Sequence, residues 1–138
     1  MKIVSFPYEI KPSSIFGSIR RPIAEVSFWS SERKKWFIYT MIVDTGADYT
    51  IFPLKVSFDL GIDIEKDCTQ YFTRGIGGSE KVYFYNKKLS VKVGTHQIKI
   101  PIGFLERDDI PPLLGRYKCL DLFDALFSKF VTSFKKEK

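Results

Sequence analysis

A length of 138 residues is that of one domain, and a composition of 44% hydrophobic and 16% aromatic residues is typical of a chain that folds around a core. Intrinsic disorder is therefore excluded. The formal net charge is +6, but the basic residues are dispersed, in pairs such as Arg20-Arg21 and Lys34-Lys35 and in a lysine-rich tail. A nucleic-acid-binding domain is expected to cluster them on one face, so we predict no nucleic-acid partner.

Cysteine and histidine are too few to form a metal site. Cys68 and Cys119 are the only cysteines and His96 is the only histidine, whereas a structural zinc site takes four such ligands. We predict neither a metal nor another cofactor. Two thiols without a disulfide framework are typical of a reducing compartment, so we expect a cytoplasmic protein.

No segment of the sequence resembles a membrane span or a signal peptide. The longest strongly apolar run, residues 36–43, is much shorter than the ~20 residues of a membrane helix. Pro7, Glu9 and Lys11 interrupt the region where the apolar part of a signal peptide would lie. We therefore predict no membrane association.

Alternation of apolar and polar residues predicts a mainly β domain built from short strands. The strands are predicted over residues 2–6, 23–29, 36–43, 49–52, 70–73, 82–85, 89–93 and 98–104. The first is predicted to be an edge or terminal strand, 23–29 forms a hairpin with 36–43, and 11–18 and 106–112 are loops. Pro53 begins a short helix that ends before Gly61.

The C-terminal part carries two conflicting patterns. A helix is predicted through Leu120 and Phe123, and apolar residues from Leu122 to Phe134 recur at helical spacing. Residues 130–132 nevertheless suit a strand, and we predict a short helix followed by a strand. Because no linker divides the chain, residues 1–138 are predicted to form a single domain.

An acidic residue follows directly on a predicted buried strand. Ile42 and Val43 lead into Asp44-Thr45-Gly46, and Ala47 and Asp48 come next. An isolated ionised carboxylate is costly to desolvate, so the simplest alternative is an ordinary turn aspartate. Catalysis by such a group requires a second carboxylate beside it, and the chain holds only one Asp-Thr-Gly.

Two further motifs follow in a meaningful order. A glycine-rich hairpin tip, Gly75-Ile76-Gly77-Gly78, comes about thirty residues after Asp44, and Leu113-Leu114-Gly115-Arg116 precedes a predicted helix. Together the three motifs, across residues 20–124, resemble the retropepsin-like (retroviral-type) aspartic proteases. The resemblance implies a closed acid-protease β-barrel with a short C-terminal helix, acting as an obligate homodimer.

The resemblance also implies an activity, hydrolysis of peptide bonds by an aspartic endopeptidase. Asp44 of each subunit would form a carboxyl pair that shares one proton and activates a water molecule. Thr45 would bond across the dimer, and Gly46 would permit a tight turn. Asp48 would form a bidentate pair with Arg116, and Gly115 and Arg116 would support the catalytic loop.

A peptide substrate would lie extended between this loop and the glycine-rich flap, with apolar residues near the cleaved bond. Backbone groups near Ile76 and Gly77 would hold it. The candidate substrate-binding residues are Ala47, Asp48, Tyr49, Ile51, Gly75, Ile76, Gly77, Gly78, Pro111 and Leu113.

A two-lobed protease with both aspartates in one chain would need about twice this length, so the resemblance implies that two copies complete the site. Residues 1–6 and the phenylalanine-rich segment 125–138 are interface candidates, although neither this segment nor the N-terminal extension 1–18 matches the family pattern. Two alternatives remain: a catalytically idle peptide-binding or dimerisation module, and a basic β domain that binds nucleic acid.

Overall fold

The computed structural model describes residues 2–75 and 78–136, of which most lie in strands. The strands are β1 (Ile3–Pro7), β2 (Glu9–Ser13), β3 (Gly17–Arg21), β4 (Ile23–Ser30), β5 (Lys35–Val43), β6 (Thr50–Pro53), β7 (Cys68–Gly75), β8 (Gly78–Tyr85), β9 (Leu89–Val93), β10 (His96–Ile100), β11 (Ile102–Leu105), β12 (Leu113–Leu114), β13 (Asp124–Ser128) and β14 (Val131–Lys135). Two short helices are α1 (Lys55–Asp59) and α2 (Ile64–Asp67), and Leu120–Leu122 forms one 3₁₀ turn. The mainly β prediction is confirmed.

Nine strands form the main sheet, in the order β10-β9-β4-β5-β12-β6-β11-β8-β7. The sheet is an open half-barrel with β10 and β7 at its two edges, so the predicted closed barrel is wrong. Strand β8 pairs with β11 over residues 103–105 of β11, and β7 pairs with β8. The β7–β8 hairpin therefore extends beyond β11, and within residues 2–75 and 78–136 no ladder joins it to β10.

A buried aromatic cluster holds the two halves of this sheet together. Phe28 of β4 lies edge-to-face with Phe52 of β6 at 4.9 Å between ring centroids, and Phe52 stacks on Phe104 of β11 at 6.1 Å. All three side chains are fully buried, as is Met41 of β5. Burial of each large apolar side chain contributes roughly 1.5–3 kcal/mol relative to exposure. The core therefore anchors the ends of β5 and β6, where the site described below begins.

Both α-helices lie in the segment that connects β6 to β7. Helix α1 follows Pro53 as predicted and ends before Gly61, whose φ of +67° suits a helix C-terminus. The carboxylate of Asp63 accepts hydrogen bonds from the first backbone amides of α2. No helix among residues 2–75 and 78–136 is long and apolar enough to cross a membrane.

The two ends of the described chain pair with each other in a separate three-stranded sheet, in the order β1-β14-β13. The predicted C-terminal helix is therefore reduced to one 3₁₀ turn, and the segment after it is a hairpin. Lys129 and Phe130 turn this hairpin with φ of +52° and +63°, which matches the tight hairpin turns that require positive φ. The hydrogen bonds between β14 and β1 therefore determine the conformation of this segment, although its apolar residues have helical spacing.

Residues predicted as a loop near the N-terminus form a second hairpin, β2–β3, which is paired from Glu9 with Arg21 to Ser13 with Gly17. The 11–18 loop prediction is wrong for residues 11–13 and 17–18, which lie in the two strands, and residues 14–16 form the turn between them. Arg20 lies over the ring of Phe130 at 4.4 Å, and Arg21 pairs with Glu9. The N-terminal extension is thus ordered, and it packs next to the β13–β14 turn.

Replacement of Thr132 by Val is expected to stabilise the protein by about 1 kcal/mol. Thr132 is fully buried in β14, and its hydroxyl is a side-chain group without a hydrogen-bond partner among the residues that the structure describes. Valine keeps the shape and removes the desolvation cost of an unpaired hydroxyl, which is about 1–3 kcal/mol. Urea denaturation measures the change. Thr132→Ser, which keeps the hydroxyl and loses the methyl, is the control and should destabilise; a Val variant no more stable than wild type contradicts the prediction.

Candidate active site

Asp44 lies immediately after β5, at a point where three strands converge. The short strand β12 runs parallel to β5 and antiparallel to β6, with Leu113 opposite both Ile42 and Ile51. The backbone amide of Asp44 donates to the carbonyl of Leu114 at 3.1 Å. The acid therefore begins a loop at the end of a strand that is buried close to the loop, at Met41 and Val43. Asp44 is itself half-buried, and its backbone is held by a neighbouring strand.

The turn after Asp44 fixes the direction of its carboxylate. The amide of Gly46 donates to Asp44 Oδ1 at 2.9 Å, and the amide of Ala47 donates to the Asp44 carbonyl at 3.1 Å. A Cβ at position 46 would lie 3.3 Å from Asp44 Oδ1, which is tight. Gly46 thus allows the backbone to close around the carboxylate. Thr45 is exposed at the outer side of the turn, where its role across a dimer stays a prediction.

Residues 114–117, which we call the clamp, hold the Asp44 loop in place through hydrogen bonds. The amide of Gly115 donates to the buried hydroxyl of Thr50 at 3.1 Å. Further along, the amide of Arg116 donates to the carbonyl of Ala47 at 3.0 Å, and that of Tyr117 donates to the carbonyl of Asp48 at 2.8 Å. Residues 44–49 are therefore tied to residues 114–117 mainly through backbone hydrogen bonds.

Asp48 and Arg116 form the expected ion pair, but not with the expected geometry. Arg116 Nη2 donates to Asp48 Oδ1 at 2.5 Å, a single bond rather than a bidentate pair. The side chains are 47% exposed for Arg116 and 68% exposed for Asp48. Because solvent screens such pairs, which typically contribute 0–1 kcal/mol, the backbone bonds are the stronger tie between the two segments.

The glycine-rich tip belongs to the β7–β8 hairpin, which pairs from Cys68 with Tyr85 to Gly75 with Gly78. Ile76 and Gly77 lie outside the described residues. Only the base of the hairpin is attached to the main sheet, through β11. The assignment of Gly75, Ile76, Gly77 and Gly78 to substrate binding stays a prediction.

The predicted pocket walls occupy two different places. Ile51 and Leu113 are paired directly, so their half-buried side chains lie side by side on one face of the sheet. Pro111 is exposed in the loop that precedes Leu113. Tyr49 is exposed, and its ring contacts those of Phe84 and Tyr117.

Sequence reasoning did not find these aromatic partners of Tyr49. Phe84 comes from the β7–β8 hairpin, and Tyr117 follows Arg116 directly. The position of Tyr117 next to Arg116 was a usable signal, because a residue that follows Arg116 directly must lie close to the Asp44 loop that Arg116 contacts. Phe84 had no local signal, since the pairing of β8 with β11 brings it there.

The buried thiol near the clamp is not an activated nucleophile. Cys119 is fully buried, and burial raises the pKa of its thiol to about 12. A thiol that stays protonated at neutral pH is a poor nucleophile. Among residues 2–75 and 78–136, no three His, Cys, Asp or Glu side chains cluster in a way that could hold a metal ion.

A cavity of about 980 Å³ lies beside α1 and α2, and Arg33, Asp63 and Glu65 are among its lining residues. None of its lining residues belongs to the Asp44 loop or to residues 111–117. This cavity is therefore separate from the carboxylate at the end of β5.

The family model for aspartyl proteases matches residues 38–117, a span that contains Asp44, the glycine-rich tip and Arg116. The chain belongs to the aspartyl protease family. Its fold is that of the retropepsin-like aspartic proteases, as two solved structures indicate. A search of curated proteins gave no match to this aspartyl protease.

One solved structure is a retropepsin-like aspartic protease from Rickettsia conorii, 18% identical, with a TM-score of 0.63 over 96% of this chain and 98% of that chain. The other is EIAV protease in complex with the inhibitor HBY-793, 20% identical, with a TM-score of 0.50 over 70% of this chain and 82% of that chain. At these identities the likeness establishes the fold alone.

Proposed function

We propose that this aspartyl protease is a homodimeric aspartic endopeptidase, in which Asp44 of each subunit contributes one carboxyl group to a catalytic pair. The observation that carries the proposal is the half-buried Asp44 carboxylate, oriented by the Gly46 amide at the end of a strand in a family-matched segment. A single acid of this kind needs a second one beside it. The chain contains one Asp-Thr-Gly, so the second comes from another copy.

Each carboxyl group has a defined part in the proposed reaction. Two carboxyls held close together cannot both ionise readily, so they share one proton. The ionised Asp44 takes a proton from a bound water, which attacks the peptide carbonyl carbon, while the protonated Asp44 donates to the carbonyl oxygen. Collapse of the tetrahedral intermediate breaks the C–N bond as a proton passes to the leaving nitrogen.

Substrate recognition is proposed to use the apolar floor and the flap. Ile51 and Leu113 form an apolar surface beside the Asp44 loop, which favours apolar side chains next to the cleaved bond. An extended peptide would lie between this floor and the β7–β8 hairpin and add its backbone as a strand. Thr45 would link the two Asp44 loops across the dimer axis.

The free edge of β13 is the proposed dimer contact. Every residue of β13 is exposed, including Leu126 at 61%, and one edge of the strand has no partner in the three-stranded sheet. Exposed apolar edge strands are a template for pairing with another chain. Antiparallel pairing of β13 with its copy about a two-fold axis would give a closed dimer.

Replacement of Leu126 by Lys is expected to shift the protein to the monomer and to abolish cleavage at low micromolar concentration. A lysine at the edge would desolvate a charge in the interface and repel its symmetry copy. Sedimentation velocity and a peptide-cleavage assay measure the two effects. Ile38→Lys, at an equally exposed strand position of β5, is the matched control. A Leu126→Lys protein that stays dimeric rules out this edge as the interface.

Digestion of a peptide library by the wild-type protein, read by mass spectrometry between about pH 3 and pH 7, tests the proposed function. We expect cleavage next to apolar residues, with specific activity that rises with protein concentration until the dimer is saturated. A dimer that cleaves nothing in this range is instead the idle peptide-binding module. We propose a cytoplasmic location, with which the free thiols of Cys68 and Cys119 are compatible.

A further inference from the structure

Four aromatic rings form a continuous row from the Asp44 loop to the flap hairpin. The ring of Tyr117 lies 6.3 Å from that of Tyr49, Tyr49 lies 5.1 Å from Phe84, and Phe84 lies 5.8 Å from Tyr71. All three contacts are edge-to-face, the geometry that aromatic pairs prefer. The row connects the catalytic loop, the clamp and both flap strands.

These rings line an open cavity of about 350 Å³, which we call the aromatic pocket and define by Tyr49, Tyr71, Phe84, Pro101 and Tyr117. Although the rings contact one another, Tyr49 is 42% exposed, Tyr71 53% and Tyr117 49%. Rings held rigidly with a large open surface resemble a preformed binding pocket, and 350 Å³ is at the lower end of the roughly 300–1,000 Å³ found for such sites. The pocket has room for one large side chain.

The chemistry of the walls favours an uncharged, flat occupant. In the part of the chain that the structure describes, no residue that lines the cavity carries a charge: besides those five, the lining residues are Phe72 and Thr73. A negatively charged side chain placed there would lose its hydration without gaining a partner among these residues. An aromatic side chain can instead make the same edge-to-face contacts that the rings make with one another.

The position of the pocket relative to Asp44 decides which part of a substrate reaches it. Tyr49 lies five positions after Asp44, and on the flap side the wall begins at Tyr71, which is before the glycine-rich tip. Asp44 does not line the cavity. An extended peptide centred on Asp44 would therefore reach the pocket with a residue beyond the two that flank the scissile bond.

We propose that the aromatic pocket selects substrates with an aromatic side chain at a position outside the two residues that flank the cleaved bond. This inference rests on the proposed function, because it assumes a peptide bound over Asp44. A homodimer carries two such pockets related by its two-fold axis. The preferred substrates therefore have an aromatic residue at matching distances on both sides of the cleaved bond.

Equilibrium binding to the Asp44→Asn protein tests the pocket without requiring cleavage. Asparagine still offers an oxygen to the Gly46 amide, so the loop geometry is kept. The probes are fluorescein-labelled peptides that place Phe, Ala or Glu in turn at each position of an apolar peptide, read by fluorescence anisotropy. We expect at least one position at which Phe binds about tenfold tighter than Ala, with Glu weaker still. No position with a preference for Phe overturns the inference, whatever the cleavage assay gives.

Pocket variants identify the residues responsible. Tyr71→Ala and Tyr117→Ala, each made on the Asp44→Asn background, should lower the Phe-over-Ala preference about three- to tenfold, because the Phe peptide loses its edge-to-face contacts. Phe16→Ala, which removes an exposed ring from the β2–β3 turn outside the pocket, is the control and should keep the preference. In the active protein the loss should appear in KM rather than kcat. An unchanged preference in both folded Tyr variants also overturns the inference.

Wild-type cleavage separates this inference from the proposed function. If the wild type cleaves the library without aromatic enrichment beyond the flanking positions, the pocket assignment fails and the protease remains. If the peptides bind with the Phe preference but are never cut, the pocket stands and the catalytic assignment fails.

Discussion

Replacement of Asp44 by Asn is expected to lower kcat at least about 10³-fold and to leave the fold intact. Proton transfer by positioned side chains contributes 10²–10⁴-fold to such reactions, and asparagine can neither take nor give the proton. The amide oxygen still accepts from the Gly46 amide, which in the wild type bonds Asp44 Oδ1 at 2.9 Å. Thermal unfolding should therefore change little, and peptide cleavage measures the loss.

Mixing the two proteins tests whether both subunits contribute to one site. Re-equilibrated dimers from a one-to-one mixture should have about a quarter of the activity of wild type at the same total protein concentration. Only wild-type homodimers, about one dimer in four, hold two Asp44 carboxyls. Half of the activity would mean that each subunit works alone, which contradicts the shared pair. Asp59→Asn is the matched control, because Asp59 lies in α1 and its side chain still accepts from Tyr39 after the change. Equal cleavage by wild type and Asp44→Asn would assign the activity to a contaminant.

Replacement of Gly115 by Ala is expected to destabilise the protein by at least about 3 kcal/mol and to abolish activity. A Cβ at this position would lie 2.2 Å from the carbonyl oxygen of Tyr49 and 2.9 Å from the amide nitrogen of Thr50. Both are backbone atoms, so no side chain can rotate to relieve the clash. Overpacking typically costs 1–3 kcal/mol, and here the shift also disrupts the bond from the Gly115 amide to Thr50.

The effect of Gly115→Ala is compared with that of Gly17→Ala. A Cβ at Gly17 would meet no other atom within 4 Å, but the backbone there has a φ of +77°, so alanine should cost only about 1–2 kcal/mol. Chemical denaturation of the two variants separates steric exclusion from backbone strain. Similar losses in both would show that the clamp between residues 114–117 and the Asp44 loop is more tolerant than its contacts indicate.

Local patterns predicted the parts of the fold whose residues alternate between core and solvent. The hairpin formed by β4 and β5 has Ala24, Val26 and Phe28 fully buried at alternate positions, so its apolar period was readable directly. The predicted strand 98–104 is divided in two, because Pro101 has no amide hydrogen for the ladder. Helix α1 and the loop before β12 were also readable from proline and glycine.

Elements whose partners are distant in the chain were not predictable in the same way. Residues 122–134 have helical apolar spacing, but β14 pairs with β1 along its whole length, and that pairing decides the conformation. The β2–β3 hairpin buries little, so it lacked an alternating signal. An aspartic-protease motif also does not reveal whether its sheet closes, since closure would require pairing between the edge strands β7 and β10, which are not neighbours in the chain.

The candidate site was predictable where one motif holds the residues together and not where separate segments meet. The ion pair between Asp48 and Arg116 was anticipated from the resemblance, and it is present with one bond instead of two. The aromatic pocket combines residues from five segments, and only Tyr49 among them was named as a site residue from the sequence. The pairing of strands that are distant in the chain brings these residues together, and the spacing of residues along the sequence does not reveal that pairing.

The pairing of the first strand with the last has a consequence for biosynthesis. Ser5 bonds Ser133, and the exposed β13 strand is supported by β14, which is itself paired with β1. A nascent chain that has not yet reached Lys135 cannot complete this sheet, even if its nine-stranded sheet has formed. If β13 joins two copies as we propose, partly synthesised chains on the ribosome stay proteolytically silent, and cleavage begins only after the C-terminal hairpin emerges.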